Sequence, residues 1–348
     1  MRHFIGVIFV ALAICAYVGK LHSMNFVREP LVFEPVYKDY PWGGRSIAKA
    51  YNRHGTPEVC AESWEIAARP DGDSIVKNGR FAGRSLATLA AKFGADLTGT
   101  RAPDPHRFPL LFKLIDARER LSVQVHPDES SARLTGGEPK TELWMILDSL
   151  PGACLYAGLR DGCDSDRLRQ ALSDGTTDQL LMRLEATPGQ ALFIPGGLIH
   201  AIGAGCLIYE IQQNSNTTYR LFDWNRTGPD GKTRTLHIEE AMRSINWSLS
   251  APKLAPPVIE HEANNNRWSS VSRCAFFSIR LLEAAAPERV KMDGSSFHAI
   301  FTADGLIALS ANGETVRLTK GTSALIPADA GEYTVTPQKT AELLLTTL

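Results

Sequence analysis

Cysteine is scarce in this chain, and none of it is paired by spacing. The six cysteines of 348 residues (Cys15, Cys60, Cys154, Cys163, Cys206 and Cys274) form no C-x-x-C pair and no small-domain disulfide framework. They read as reduced, mostly buried thiols in a reducing compartment. An excess of one charge is also missing. The net charge is -1, with no basic stripe and no long charge run, so nothing favours a nucleic-acid partner. Long apolar runs are absent too. The longest, Phe4 to Val18, follows Arg2 and His3; it is too short to span a bilayer comfortably but suits a signal-peptide core. Ala11-Leu-Ala13 is a poor cleavage site because it lies inside that run, and Ile14 before Cys15 spoils lipidation. The expectation is that residues 1–23 are an extension upstream of a true start at Met24 and that the protein is cytoplasmic. Export or membrane anchoring stays open.

Helix signals are few. Ser85 caps a predicted helix through Phe93 that Gly94 ends, with Leu86, Leu89 and Ala90 on its inner face. A second helical region is expected from about Asp166 to Leu184, interrupted near Gly175, and a third from about Ile238 to Ile245. Elsewhere short strands alternate with Gly, Pro and Asp turns, as at Leu121–Val125, Leu143–Leu147, Ala191–Ile194 and Cys206–Gln212. That pattern predicts a mainly β sandwich or barrel. Pro252, Pro256 and Pro257, followed by Asn264-Asn-Asn266, mark a linker over 251–266. It would separate a unit over 24–250 from a C-terminal β unit over 267–348.

Gly189-Gln-Ala-Leu-Phe-Ile-Pro195 is echoed by Gly321-Thr-Ser-Ala-Leu-Ile-Pro327. Both read as a Gly turn, a buried strand and a Pro stop, and both resemble the second motif of cupin barrels. His200 follows the first copy by five residues, where a cupin often places a metal ligand; in the second copy that offset falls on Glu332. The fold expected is a cupin jelly roll with a few helices, followed by a second, degenerate cupin-like unit.

Gln124 and His126 sit two apart in Leu121-Ser-Val-Gln-Val-His-Pro127, so they share one face of a strand. Alone, such a pair suits a polar strand face. With Glu142 and His200 it becomes a candidate ligand set of two imidazoles and two oxygens, which suits one zinc ion per chain ahead of iron, manganese or cobalt. A second cluster is charged. Lys113 interrupts the apolar run Pro109-Leu-Leu-Phe-Lys-Leu-Ile115, and Glu210 interrupts Leu207-Ile-Tyr-Glu-Ile211. A charge in such a run needs a partner or a task. With Lys140 and Arg220 they suit a small anionic, oxygen-rich ligand such as a sugar phosphate.

These blocks, with Tyr40-Pro-Trp-Gly-Gly44, Ala61-Glu-Ser-Trp-Glu65, Lys140-Thr-Glu-Leu-Trp144, Ile194-Pro-Gly-Gly-Leu-Ile-His-Ala201 and Glu210-Ile-Gln-Gln-Asn-Ser-Asn-Thr-Thr-Tyr-Arg220, run in one order from about Pro30 to Trp224. The chain resembles the type I mannose-6-phosphate isomerases (phosphomannose isomerases) of short bacterial form, in the cupin superfamily. The resemblance implies zinc at Gln124, His126, Glu142 and His200 and a catalytic role for Arg220. It places Trp42, Glu62, Lys113, Ser122, Lys140 and Glu210 along the active cleft. It departs from the family at Thr141, where a proline is usual, and at Asn216, where an aspartate is common. The implied reaction interconverts mannose 6-phosphate and fructose 6-phosphate through a cis-enediol. Glu210 is the preferred base, with Lys140 or Lys113 moving the hydroxyl proton. Partners beyond the sugar phosphate are not expected: no nucleic acid, no membrane for the folded units, and a monomer or weak dimer. The alternatives are another sugar-phosphate isomerase on a cupin fold, or a non-catalytic cupin that binds sugar or metal.

Overall fold

The computed structural model describes residues 28–227 and 231–348; the expectations for residues 1–23 lie outside them. The chain is mainly β and builds two jelly-roll units. In the first, a six-stranded antiparallel sheet faces a five-stranded one. The six strands run Ala191–Ile194, Glu142–Ser149, Cys206–Gln213, Leu110–Ala117, Glu62–Ile66 and Val36–Lys38 across the sheet. The five run Leu181–Glu185, Cys154–Leu159, His200–Ile202, Val123–Val125 and Tyr219–Phe222.

Period-two alternation explains how apolar strands carry charges into a site. Along Leu110–Ala117, Leu110, Phe112 and Leu114 face outward into one core, while Ile115 and Ala117 face inward between the sheets. Lys113 shares the parity of the inward set. Along Cys206–Gln213, Leu207, Tyr209 and Ile211 point outward and Ile208 inward, which places Glu210 and Gln212 inside. The inward core of Ile115, Trp144, Ile146, Leu155, Leu192 and Ile208 closes one end of the sandwich and leaves the other end polar.

The second unit packs an eight-stranded sheet on a four-stranded one around Trp268, Ile300, Leu309, Leu318, Tyr333 and Leu343. The two units share a core. Tyr209 of the first stacks on Phe301 of the second, with ring centroids 4.1 Å apart and planes at 13°. Gly321 has φ 79°, and an added Cβ there would lie 2.1 Å from the Tyr51 ring, so both the backbone and the packing call for glycine. Its carbonyl accepts from Arg53, which also grips Glu65 at 2.8 Å.

The structure differs from the sequence-based boundaries at several points. The chain from 251 to 266 is not all linker: Val258–Ala263 is a strand paired with Asn266–Arg273 through a turn in which Asn264 and Asn265 hold positive φ. Leu31–Glu34 leaves the first unit and pairs with Ser323–Ile326 of the second unit's sheet, with Ile75–Val76 added outside it. The second helical region is a helix over Ser165–Asp174, capped by Asp164 and ended by Gly175, then one 3-10 turn; from Leu181 to Glu185 it is strand, not helix. Helix Leu86–Phe93 forms with Ser85 accepting from the Thr88 amide, and Ile238–Ser244 forms as expected. Among the described residues no helix is long and apolar enough to cross a membrane.

The echoed motifs occupy matching places. Ala191–Ile194 pairs with the start of Glu142–Ser149, and Ser323–Ile326 pairs with the start of His298–Asp304. Register then sets His298 where the first unit has Glu142, and Lys291 where it has Gln124, since Glu332 pairs with Lys291 as His200 pairs with Gln124. The second unit keeps the frame and loses the ligand set.

Candidate active site

Strand register sets two transverse rows of side chains. In the six-stranded sheet Trp144, Glu210, Lys113 and Trp64 stand opposite one another on consecutive strands. In the five-stranded sheet Gln124 stands opposite both His200 and Arg220. The rows bound a polar cleft of about 290 Å³.

His126, Glu142 and His200 are buried, and one ligand atom from each lies within 4.8 Å of the others. His126 Nδ1 sits 2.8 Å from the Thr217 carbonyl and His200 Nδ1 sits 2.8 Å from that of Leu198. A carbonyl only accepts, so each ring donates from Nδ1 and turns an Nε2 lone pair inward. Those two Nε2 atoms are 3.2 Å apart, and Glu142 brings its oxygens to 3.4 Å and 3.5 Å from them. Neither Glu142 oxygen has a hydrogen bond of proper geometry, although the Lys140 ammonium lies 2.6 Å away. Lys140 Nζ, also 3.1 Å from His126 Nε2, answers this charge from one side only; the His200 lone pair and the other Glu142 oxygen still face one another, an arrangement that suits a further cation. The Gln124 amide lies 3.2 Å from His200 Nε2, and a half-turn presents its oxygen at the same place. The donor set therefore fits a divalent metal.

Electrostatics keep these groups in ligand form. Burial, reinforced by Lys140, lowers the pKa of His126 to about 3, and burial lowers His200 as well, so both rings are neutral. Burial disfavours the charge on Glu142, yet Lys140 and the His126 and His200 rings together outweigh it and hold the carboxyl well below the usual range.

Beside the ligand set lies the charged row. Lys113 sits on a central strand, 4% exposed, with Glu62 and Glu210 each 3.4 Å from its Nζ. Burial works against its charge, but the two carboxylates prevail and raise its pKa, so it stays an ammonium. Glu210 accepts from Trp144 Nε1 at 2.9 Å through Oε2, while its Oε1 carries no hydrogen bond. Burial pushes its carboxyl above the ordinary value, against the pull of Lys140 and Lys113. Arg220 donates from Nε to Ser122 Oγ at 3.2 Å and from Nη1 to the Thr235 carbonyl at 2.9 Å. Trp42 stacks on Tyr40 at the rim, with centroids 5.7 Å apart. All eleven residues singled out in the sequence thus fall in or directly behind one cleft.

Both departures find a local reason. The Thr141 amide donates to Gln213 Oε1 at 2.7 Å, a bond proline could not make, and its hydroxyl accepts from Gly196 N at 3.1 Å. Asn216 donates to Asp71 Oδ2 at 2.6 Å, where an aspartate would meet a second carboxylate. Sequence reading passes over Arg234 and Thr218, which also line the cleft. Arg234 lies in a polar turn segment with no apolar frame around it to make its charge conspicuous.

Comparison with known proteins agrees with the geometry. Residues 31–142 match the family model of the phosphomannose isomerase type I catalytic domain, and residues 268–343 match that of the mannose-6-phosphate isomerase cupin domain. A probable mannose-6-phosphate isomerase of Bacillus subtilis, GmuF, is 35% identical over 89% of this chain and 96% of its own. A second from that organism, ManA, is 33% identical over 88% of this chain and 95% of its own. The crystal structure of the mannose 6-phosphate isomerase from Bacillus subtilis superposes with a TM-score of 0.82 at 28% identity, covering 92% of this chain and 100% of that one.

Proposed function

Because the chain belongs to the type I phosphomannose isomerases, we propose that it interconverts mannose 6-phosphate and fructose 6-phosphate as a zinc-dependent aldose–ketose isomerase, through a cis-enediol. The observation that carries this reading is the convergence of two imidazole lone pairs and both Glu142 oxygens beside a Glu210 oxygen that is ion-paired with Lys113 but makes no hydrogen bond. A non-catalytic cupin has no need of that second carboxylate or of the lysines that flank it.

Gln124, His126, Glu142 and His200 would hold the zinc ion, whose charge polarises the sugar carbonyl and stabilises negative charge growing on its oxygens. The chain's own residues do the rest. Glu210 takes the proton from C2 and returns it at C1, since its raised pKa brings a carboxylate nearer the proton affinity that work requires. Trp144 fixes the orientation of that carboxyl by holding Oε2, which leaves Oε1, 3.4 Å from Lys113, without a hydrogen bond. Lys140, 4.0 Å from Glu210 and 2.6 Å from Glu142, is placed to move the hydroxyl proton. Lys113 contributes charge rather than a proton, because its two carboxylate partners hold its own proton firmly. Arg220, anchored by Ser122, orients the substrate and adds positive charge opposite Gln124. The cysteines Cys60, Cys154, Cys163, Cys206 and Cys274 are free thiols, which supports a reducing compartment such as the cytoplasm.

A coupled assay of mannose 6-phosphate conversion tests the reading. Chelation should abolish turnover and zinc should restore it. A zinc-loaded protein with no turnover would sink it.

A further inference from the structure

We propose that Arg234 anchors the substrate's phosphate at the outer end of the cleft, an assignment that rests on the isomerase reading above. The two ends of the cleft differ in charge. The inner end interleaves Glu62, Glu142 and Glu210 with Lys113 and Lys140. The outer end presents guanidinium groups.

Arg220 projects from the five-stranded sheet, and its Nη1 is tied to the carbonyl of Thr235, next in sequence to Arg234. Arg234 follows the bridge between Thr227 and Thr233 and brings its half-exposed side chain to the same cleft. Its ion pair with Asp223 is long, 3.7 Å, because the same oxygen already binds Arg226 at 2.5 Å. Arg226 is further tied to the Arg120 carbonyl at 2.8 Å. Arg226 and Arg234 thus share one buried carboxylate, with Arg220 close enough to feel all three charges, and Asp223 is spoken for. Arg220 uses Nε and Nη1 on protein oxygens, so it is held in place rather than free to wrap an anion.

Positive charge in surplus costs folding free energy unless an anion answers it. Arg234 is the member of the trio that lines the cleft without a close acceptor among the described residues. A planar guanidinium offers two parallel N–H donors, which match two oxygens of a phosphate. The metal ligands and Glu210 act on the carbonyl end of the sugar, so the terminal phosphate must point away from them, toward the mouth where Arg234 stands.

The test uses the zinc-loaded enzyme. Arg234→Gln should raise KM for mannose 6-phosphate about tenfold to a hundredfold, with kcat within about threefold of wild type, as loss of a charged hydrogen-bonding pair predicts. Competitive inhibition by inorganic phosphate should weaken by the same factor, and Arg234→Lys should recover part of both, since lysine keeps the charge but not the fork. An unchanged thermal midpoint in Arg234→Gln separates this from a folding defect. The proposal is overturned if KM and the phosphate inhibition constant both stay within about twofold of wild type, or if KM rises while phosphate inhibition does not change. If the wild-type enzyme itself fails to turn over mannose 6-phosphate, the isomerase reading fails separately. Calorimetric titration of inorganic phosphate then decides on Arg234: equal binding by wild type and Arg234→Gln overturns the assignment, and weaker binding by the variant upholds it.

Discussion

The Nε2 atoms of His126 and His200 stand 3.2 Å apart, and each ring has spent its Nδ1 proton on a backbone carbonyl. Neither can donate to the other, and the Lys140 ammonium, 3.1 Å from His126 Nε2, is the positive charge already beside them, so the pair suits a cation.

This relationship sets a pH dependence for the metal-free protein. Both rings have folded-state pKa values lowered from 6.5, His126 to about 3, with burial as the main cause. A depressed histidine binds its proton more readily when unfolded. Stability is therefore full above pH 6.5 and falls as the pH drops from there toward 3, by about 1.4 kcal/mol per pH unit for each ring in its window. Urea midpoints of chelated protein across that range check this; a flat profile would mean the rings protonate in place.

Gln124→Ala should weaken zinc retention at least about tenfold, by analogy with the loss of supporting groups around metal sites. Gln124 is half-buried and central to its row, so the fold should survive. Chelator competition measures the affinity. Unchanged retention would remove Gln124 from the ligand set.

Glu210→Gln should keep zinc and lose turnover by about a hundredfold to ten-thousandfold, the contribution of a placed general base. Trp144 Nε1 can still donate to the amide oxygen, which preserves the geometry. In the wild type, raised pKa and required ionisation together put the acid limb of kcat/KM above pH 4.5, with activity lost as pH falls through it. An acid limb unaltered in the variant would point to another base.

Arg220→Ala should leave metal content intact and reduce kcat by about a hundredfold, comparable to removing one oxyanion donor. Metal analysis beside steady-state kinetics separates this from Gln124→Ala. A variant with wild-type turnover would end the role given to Arg220.

Gly321→Ala addresses the junction of the two units. The new Cβ would strike the Tyr51 ring and force a non-glycine residue to φ 79°, so a loss of more than about 1 kcal/mol is expected. Urea denaturation measures it. Full stability would show that Tyr51 swings aside at little cost.

The site was legible where chemistry and local spacing coincide. Gln124 with His126 and Lys140 with Glu142 lie two apart on strands or strand ends, so each pair enters the cleft together whatever the rest of the chain does. Lys113 and Glu210 were visible because a charge in an apolar strand is anomalous, and register then set them face to face. Arg234 was invisible because it stands among polar turn residues and reaches the cleft only by the path of its loop. Residues 181–184 fall inside the helical region expected from about Asp166 to Leu184, but pairing with Cys154–Leu159 makes them strand.

By itself the sequence determined the strand patterning, the candidate ligand and charged side chains, and the two jelly-roll frames, because alternation and Gly-to-Pro punctuation are properties of neighbouring residues. Only the tertiary structure decided which strands lie side by side. That step placed Leu31–Glu34 in the second unit's sheet, set Gln124 between His200 and Arg220, and divided Asp223 among arginines from separate turns. Hydrogen-bond register and burial act between residues far apart in the chain, and no local pattern encodes them.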